Sequence, residues 1–128
     1  MEKQKLNALS KKILDASITV HKEMGPGLLE SIYEYCLIKE LELRNIIAKR
    51  QVELPLFYKG ELLSKEFRID ILIEDEIIIE LKTVEQILPV HVAQIISYLK
   101  LAKKKLGFLI NFNEALLING FHRYVNNF

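Results

Sequence analysis

The sequence predicts an α/β (α+β) fold, a mixed β-sheet flanked by helices in the order ααβββαβ plus a C-terminal hairpin. Three observations carry this. Two stretches of helical apolar spacing are split by Gly25-Pro26-Gly27. The period then changes to strand-like alternation from about Gln51. A proline-led helix afterwards crosses to another apolar strand. With 128 residues, half of them apolar, one domain over 1–128 is expected.

Leu6, Leu9, Ile13, Ser17, Val20 and Met24 recur at helical spacing, so the first helix runs from about Leu6 to Glu23. Gly25 precedes a proline and ends it. The second helix runs from about Leu28 to Arg44, with Leu29, Ile32, Tyr33, Cys36, Leu37 and Leu41 as its apolar stripe. Asn45 is its left-handed stop. Gln51 to Tyr58 reads as a strand, and Pro55 marks an edge or a bulge. Lys59-Gly60 is a turn. Leu62 to Ile73 and Ile77 to Lys82 are the next strands, joined by Glu74-Asp75-Glu76 as a hairpin. Pro89 suits the first turn of a helix reaching about Lys104. Lys103, Lys104 and Lys105 fall at its end, where the dipole favours cations. Gly107 leads into a strand, Phe108 to Phe112. Asn119-Gly120 signals a two-residue hairpin.

Composition excludes more than it names. Eighteen basic against seventeen acidic side chains leave a net charge of +1, unlike a protein that coats nucleic acid. An enzyme needs only a local basic rim. Cys36 is the single cysteine, so no intrachain disulfide forms, and a zinc site is not expected from it and three scattered histidines. The N-terminus has no apolar signal segment and no stretch is long enough to span a bilayer. A cytoplasmic protein without membrane contact is the expectation.

Strand alternation gathers the chemistry. Ile69, Ile71 and Ile73 take one face of their strand, and Asp70 and Leu72 the other. On the next strand Glu80 and Lys82 share a face. If the loop centres on Asp75, Ile73 pairs with Ile77 and Asp70 lies opposite Glu80, with β carbons about 4.5–5.5 Å apart. Two carboxylates that close repel, and one tends to keep its proton. A divalent cation removes the conflict, and magnesium prefers such hard oxygen ligands. Lys82 is placed to orient a metal-bound water. These parts match metal-assisted phosphodiester hydrolysis. Glu-Leu-Lys alone is a common tripeptide, and a Glu80–Lys82 pair could be a solvated strand face. Asp70, ten residues earlier on the same face, is what sets the trio apart.

Two helices could complete the site. Glu30 lies in the first turn of the second helix, where a carboxylate is favourable on dipole grounds alone. Tyr33 neighbours it on the helix and taken alone is a core aromatic. On the third helix His91, Gln94 and Tyr98 form a polar stripe beside Val92, Ile95, Leu99 and Ala102. Such a stripe is usually the wet face. Here it directly follows the Glu80–Lys82 strand.

These residues also carry a resemblance. Gly27-x-x-Glu30-x-x-Tyr33 is similar to the motif of the GxxExxY proteins, a branch grouped with the PD-(D/E)XK nuclease superfamily. Further matches are His21 to Gly27, Tyr58-Lys59-Gly60, Arg68-Ile-Asp70, Ile79-Glu80-Leu81-Lys82, His91-Val-Ala-Gln94 with Tyr98-Leu-Lys100, and Leu109-Ile-Asn111-Phe112. They run from about Leu14 to Val125. The resemblance implies a restriction-endonuclease-like core. It implies magnesium on Asp70 and Glu80, the Leu81 main-chain carbonyl as a further ligand, and Lys82 as the catalytic lysine. Glu30 corresponds to an acid supplied by a preceding helix, and Gln94 and Tyr98 to a supporting motif. Ile69 stands where the superfamily name has a proline.

The leading expectation is therefore a magnesium-dependent nuclease, with manganese able to substitute, acting on DNA ahead of RNA. Lys49, Arg50, Lys65, Arg68 and Lys100 are its candidate phosphate contacts. The alternative is an inactive nucleic-acid-binding or protein-interaction module on the same fold, since fold and site can outlast activity. The chain is small for gripping a duplex, which leaves room for a homodimer that no motif specifies.

Overall fold

The computed structural model describes residues 1–63 and 67–128. Lys65, one of the expected phosphate contacts, lies outside the described residues. Helices α1 (Lys3–Met24) and α2 (Glu30–Leu43) precede strands β1 (Ala48–Glu53), β2 (Phe57–Tyr58), β3 (Glu61–Leu62), β4 (Arg68–Ile73) and β5 (Ile77–Lys82). Helix α3 (Pro89–Ala102) then leads to β6 (Leu106–Asn111), and a 3₁₀ turn, Leu117–Gly120, to β7 (Phe121–Val125). A five-stranded sheet runs β1-β4-β5-β6-β7, and β2 and β3 form a separate hairpin. All neighbours are antiparallel except β5 and β6, the pair that α3 connects. This mixed sheet flanked by helices is the expected fold class.

Alternation on the strands divides the interior in two. Ile71, Ile73, Ile77, Ile79, Leu81, Leu106, Phe108 and Ile110 pack with α1 and α2. Leu72, Ile78 and Leu109 point the other way, to Ile95, Tyr98 and Leu99 of α3. The sheet is thus covered on both faces, as a buried parallel pair requires. Gly107 lets α3 approach: a Cβ there would sit 3.2 Å from Ile95 Cδ1, Leu99 Cδ2 and Ile78 O. Lys103, left-handed at φ 57°, ends α3. No helix among the described residues is long and apolar enough to cross a membrane.

The Ile73–Ile77 pairing, the Asn45 stop and the Lys59-Gly60 turn are as expected. Several boundaries are corrected. The strand expected over Gln51–Tyr58 is two: β1 starts earlier, at Ala48, and stops before Pro55, which has no N–H for a ladder. The strand expected from Leu62 to Ile73 is likewise divided between β3 and β4. Asn119-Gly120 makes no two-residue hairpin. It closes the 3₁₀ turn, and β7 pairs directly with β6. Gly120 is there for close approach, because a Cβ would fall 2.3 Å from the Asn111 carbonyl oxygen. Leu29, Ile32 and Met24 are exposed rather than part of the core stripes. Ile69 packs in the α3 cluster instead of with Ile71 and Ile73, so alternation breaks at Asp70.

Candidate active site

That break is where the site begins. The β4–β5 ladder runs through Ile73↔Ile77, Leu72↔Ile78 and Ile71↔Ile79 and ends there. Beyond it, side chains replace main-chain pairing. The Asp70 N–H donates to Glu80 Oε2 at 2.8 Å, and the Leu81 N–H donates to Asp70 Oδ2 at 2.8 Å. The strands are held apart by the two carboxylates, and each carboxylate is fixed by the other strand's backbone.

On the far side of β4, Gln51 faces Asp70 between the pairs Arg50↔Ile71 and Val52↔Ile69. Its φ is 51°, a left-handed conformation that a side chain adopts only when its surroundings require it. Gln51 Nε2 donates to Glu34 Oε2 at 3.0 Å, and Arg50 Nε donates to Glu34 Oε1 at 2.9 Å. Glu34 is only 5% exposed, so α2 is tied to β1 through a buried, fully partnered carboxylate.

The electrostatics report the crowding. Burial, foremost, and then the Asp70 charge push the Glu80 carboxyl up to about 8, against the opposing Asp70 N–H and Lys82. Burial also raises Asp70, with Glu34 adding to it, while the Leu81 N–H, Lys82 and Gln51 pull it down. Glu30, half-buried as the first residue of α2, is raised by burial and by Asp70. Tyr98 is raised by burial and by the Glu80 and Asp70 charges, while its hydroxyl accepts from Gln94 Nε2 at 3.0 Å. Glu30 from α2, Lys82 from β5 and Tyr98 from α3 therefore all lie within electrostatic reach of the carboxylate pair.

The donor set suits a hard divalent cation. Each carboxylate spends one oxygen on a backbone N–H, leaving the second for an ion, and the ion would relieve the repulsion that raises both groups. Among the described residues, however, no three acidic, histidine or cysteine side chains converge on one point. Glu30 stands beside the pair, within reach of the Asp70 charge.

Other expected residues fall in different places. Tyr33 is fully buried, stacked on Phe112 at 4.6 Å. Its hydroxyl donates to the Gly25 carbonyl and accepts the Leu28 N–H, clasping the Gly25–Leu28 turn that launches Glu30. His91 Nδ1 accepts the Leu88 N–H at 3.0 Å, so it caps α3. Lys49 is exposed on the edge strand β1. Arg50 is engaged by Glu34, and Arg68 lies 3.8 Å from Glu53. Lys100 is not near the carboxylates. It belongs to a lysine cluster by the β4–β5 turn, at the other end of the sheet.

Glu34 and Gln51 had no sequence signal beyond Glu34 standing four positions after Glu30 on one helix face. Asn111 is a further participant. Only 1% exposed, it accepts the Val84 N–H at 3.1 Å and donates to the Val84 carbonyl at 2.9 Å. The Phe112 N–H donates to the Lys82 carbonyl at 2.9 Å. The end of β6 thus fixes the backbone on which Lys82 is mounted.

None of the curated proteins or solved structures compared with the chain matches it significantly. A family profile does match, over residues 7–124, and it spans α1 through β7, with every residue of the carboxylate site inside it. By that match the chain belongs to the PD-(D/E)XK nuclease superfamily.

Proposed function

We propose that this protein is a magnesium-dependent nuclease, acting on DNA ahead of RNA, with Asp70 and Glu80 as the metal ligands and Lys82 as the catalytic lysine. The observation that carries it is the buried Asp70–Glu80 pair, cross-pinned by backbone N–H groups at the splayed end of β4 and β5. Two acids are kept together at high electrostatic cost, which is the mark of a functional site. Bound there, a divalent ion would polarise the phosphate and lower the pKa of a water. The Leu81 carbonyl and Glu30 are proposed as further contacts to the ion or its waters.

The chain's own part is positioning. Gln51 and the Leu81 N–H hold Asp70, and the Asp70 N–H holds Glu80. Lys82, on a backbone clamped by β6, orients the attacking water and balances charge on the phosphate. Tyr98, steadied by Gln94, borders the carboxylates from α3. Lys49, Arg50 and Arg68 are the proposed phosphate contacts on β1 and β4.

Purified protein should cleave one or more of linear, nicked, single-stranded and branched DNA when magnesium or manganese is present. Asp70→Ala and Glu80→Ala should each abolish cleavage, a loss of 10²-fold or more being typical when an electrostatic centre is removed. Cleavage that survives both substitutions would come from a contaminant and would end this assignment. A non-cutting, nucleic-acid-binding module is the second reading, favoured by the failure of Glu30 to converge with the other two acids. Calorimetric titration separates the two: absence of magnesium or manganese binding favours the module.

A further inference from the structure

Four lysines surround one hollow at the opposite end of the sheet. Lys100, Lys103, Lys104 and Lys105 line it together with Asn126 and Asn127, and it is an open surface depression of about 540 Å³. Lys104 pairs with Asp75 at 3.6 Å. Lys100, Lys103 and Lys105 have no acidic partner within 4.0 Å among the described residues.

The helix dipole does not account for this. The end of α3 carries the equivalent of about half a negative charge, which one cation answers. The end of α3 is also already capped: Asn126 Nδ2 donates to the Leu99 and Lys104 carbonyls, and the Lys104 N–H to Leu99. With Asp75, its turn neighbour Glu74 and the dipole all counted, and Glu76 paired with the N-terminus, roughly one and a half positive charges remain. In a chain of net charge +1 that is a local concentration of potential, and it repels itself unless something anionic answers it. Lys103 adds to the case. It holds φ 57° at a helix end where glycine is the usual residue.

The placement suggests what the anion is. Asp75 lies in the β4–β5 turn, and Glu80 stands three residues into β5 from its start at Ile77, about 10 Å at strand rise. Helix α3 spans that length on one face of the sheet. It has Gln94 and Tyr98 toward the carboxylates, and beyond them Lys100 in its last turn and Lys103 at its C-cap. A duplex carries one charge per about 1.7 Å of axis, so a duplex at the site would present phosphates along the whole of that distance.

We propose that Lys100, Lys103 and Lys105 form a second, sequence-independent contact for the phosphate backbone of duplex DNA, remote from the cleavage centre. This rests on the nuclease reading for its substrate. It gives a 128-residue chain a grip on the duplex beyond the scissile phosphate.

The test is binding of a labelled duplex by fluorescence anisotropy across a sodium chloride series, in EDTA so that no metal-dependent cleavage intervenes. Each phosphate contact contributes about −0.9 to the slope of log K against log salt. The triple variant Lys100→Ala/Lys103→Ala/Lys105→Ala should lose about 2.7 from that slope, and the corresponding triple Lys→Arg variant should keep it. Thermal melts confirm that both fold, and a triple Lys→Gln variant replaces the alanine one if it does not. An unchanged slope overturns the proposal, as does an equal slope loss on the Lys→Arg variant. So does binding to phosphatidylserine vesicles that is lysine-dependent when duplex binding is not. Magnesium-dependent cleavage by the wild type, assayed separately, judges the nuclease reading. Slope loss without any cleavage would leave the lysine contact standing and that reading fallen.

Discussion

Glu80 is 4% exposed beside a second carboxylate, so its cost to the fold depends on pH. Its value in the folded protein, about 8, lies above the ordinary carboxylate value of 4.5. Between those limits the folded protein holds a proton that the unfolded chain has released. Stability is therefore greatest below the unfolded value and falls as pH rises toward 8. Asp70, also raised, acts in the same direction. The melting temperature of metal-free protein should drop between pH 5 and 8, magnesium should recover much of it at pH 8, and Glu80→Gln should flatten the decline. Flat melting across that range in the wild type would mean the carboxyl is not buried as described. Tyr33 supports a prediction of another kind. Tyr33→Phe keeps the Phe112 stacking but leaves the Gly25 carbonyl and Leu28 N–H without their partner. It should cost about 1–3 kcal/mol in urea unfolding. At this scale the nearness of Asp70 and Glu80 was legible because the Ile73–Ile77 pairing sets the two residues opposite each other. Tyr33 was legible as core, but its clasp on the turn is a contact no spacing reveals.

Elements were readable where one local rule sufficed. Helix α3 begins at its proline, α2 ends before Asn45, and the β4–β5 hairpin centres on Asp75. Asn119-Gly120 misled because the same dipeptide that suits a tight hairpin also suits a close approach, and here Asn111 occupies the space a Cβ would need. Ile69 misled because strict alternation assumes an unbroken ladder, whereas Asp70 and Glu80 interrupt theirs. Glu34, Gln51 and Asn111 join elements that are distant in sequence, so only the fold brings them into use. Asn111→Ala is the informative element-level change. It takes the acceptor from the Val84 and Asn113 N–H groups, both of which donate to Asn111 Oδ1, and leaves the Val84 carbonyl with the 3.4 Å bond from Asn113 Nδ2 as its side-chain partner among the described residues. A stability loss of about 2–3 kcal/mol follows from two unpaired backbone groups. Since Val84 lies just past Lys82, cleavage at saturating magnesium should also fall, while calorimetric magnesium affinity stays within a few-fold. Equal losses in both would place Asn111 in support of the ligands instead of Lys82.

Across the whole molecule, the site exists because two layers meet at one end of a sheet. Helix α2 brings Glu30 and Glu34 from one face, and α3 brings Gln94 and Tyr98 from the other. Neither layer alone surrounds the carboxylates. Gly107 controls how close the α3 layer comes, since Ile95 and Leu99 already stand 3.2 Å from where its Cβ would be. Gly107→Val adds a branched side chain into that contact. It should cost about 1–3 kcal/mol, as overpacking does, and lift α3 from β5 and β6. The α1–α2 cluster is on the opposite face and should be spared, so Tyr33 and its turn keep their hydrogen-exchange protection while the amides of α3 lose theirs. Cleavage should fall with the displacement of Tyr98. Magnesium affinity should change less, because Asp70 and Glu80 are held by their own strands. If magnesium affinity fell as far as cleavage, α3 would be holding the carboxylates themselves, and the division between strands that bind the metal and a helix that borders it would be wrong.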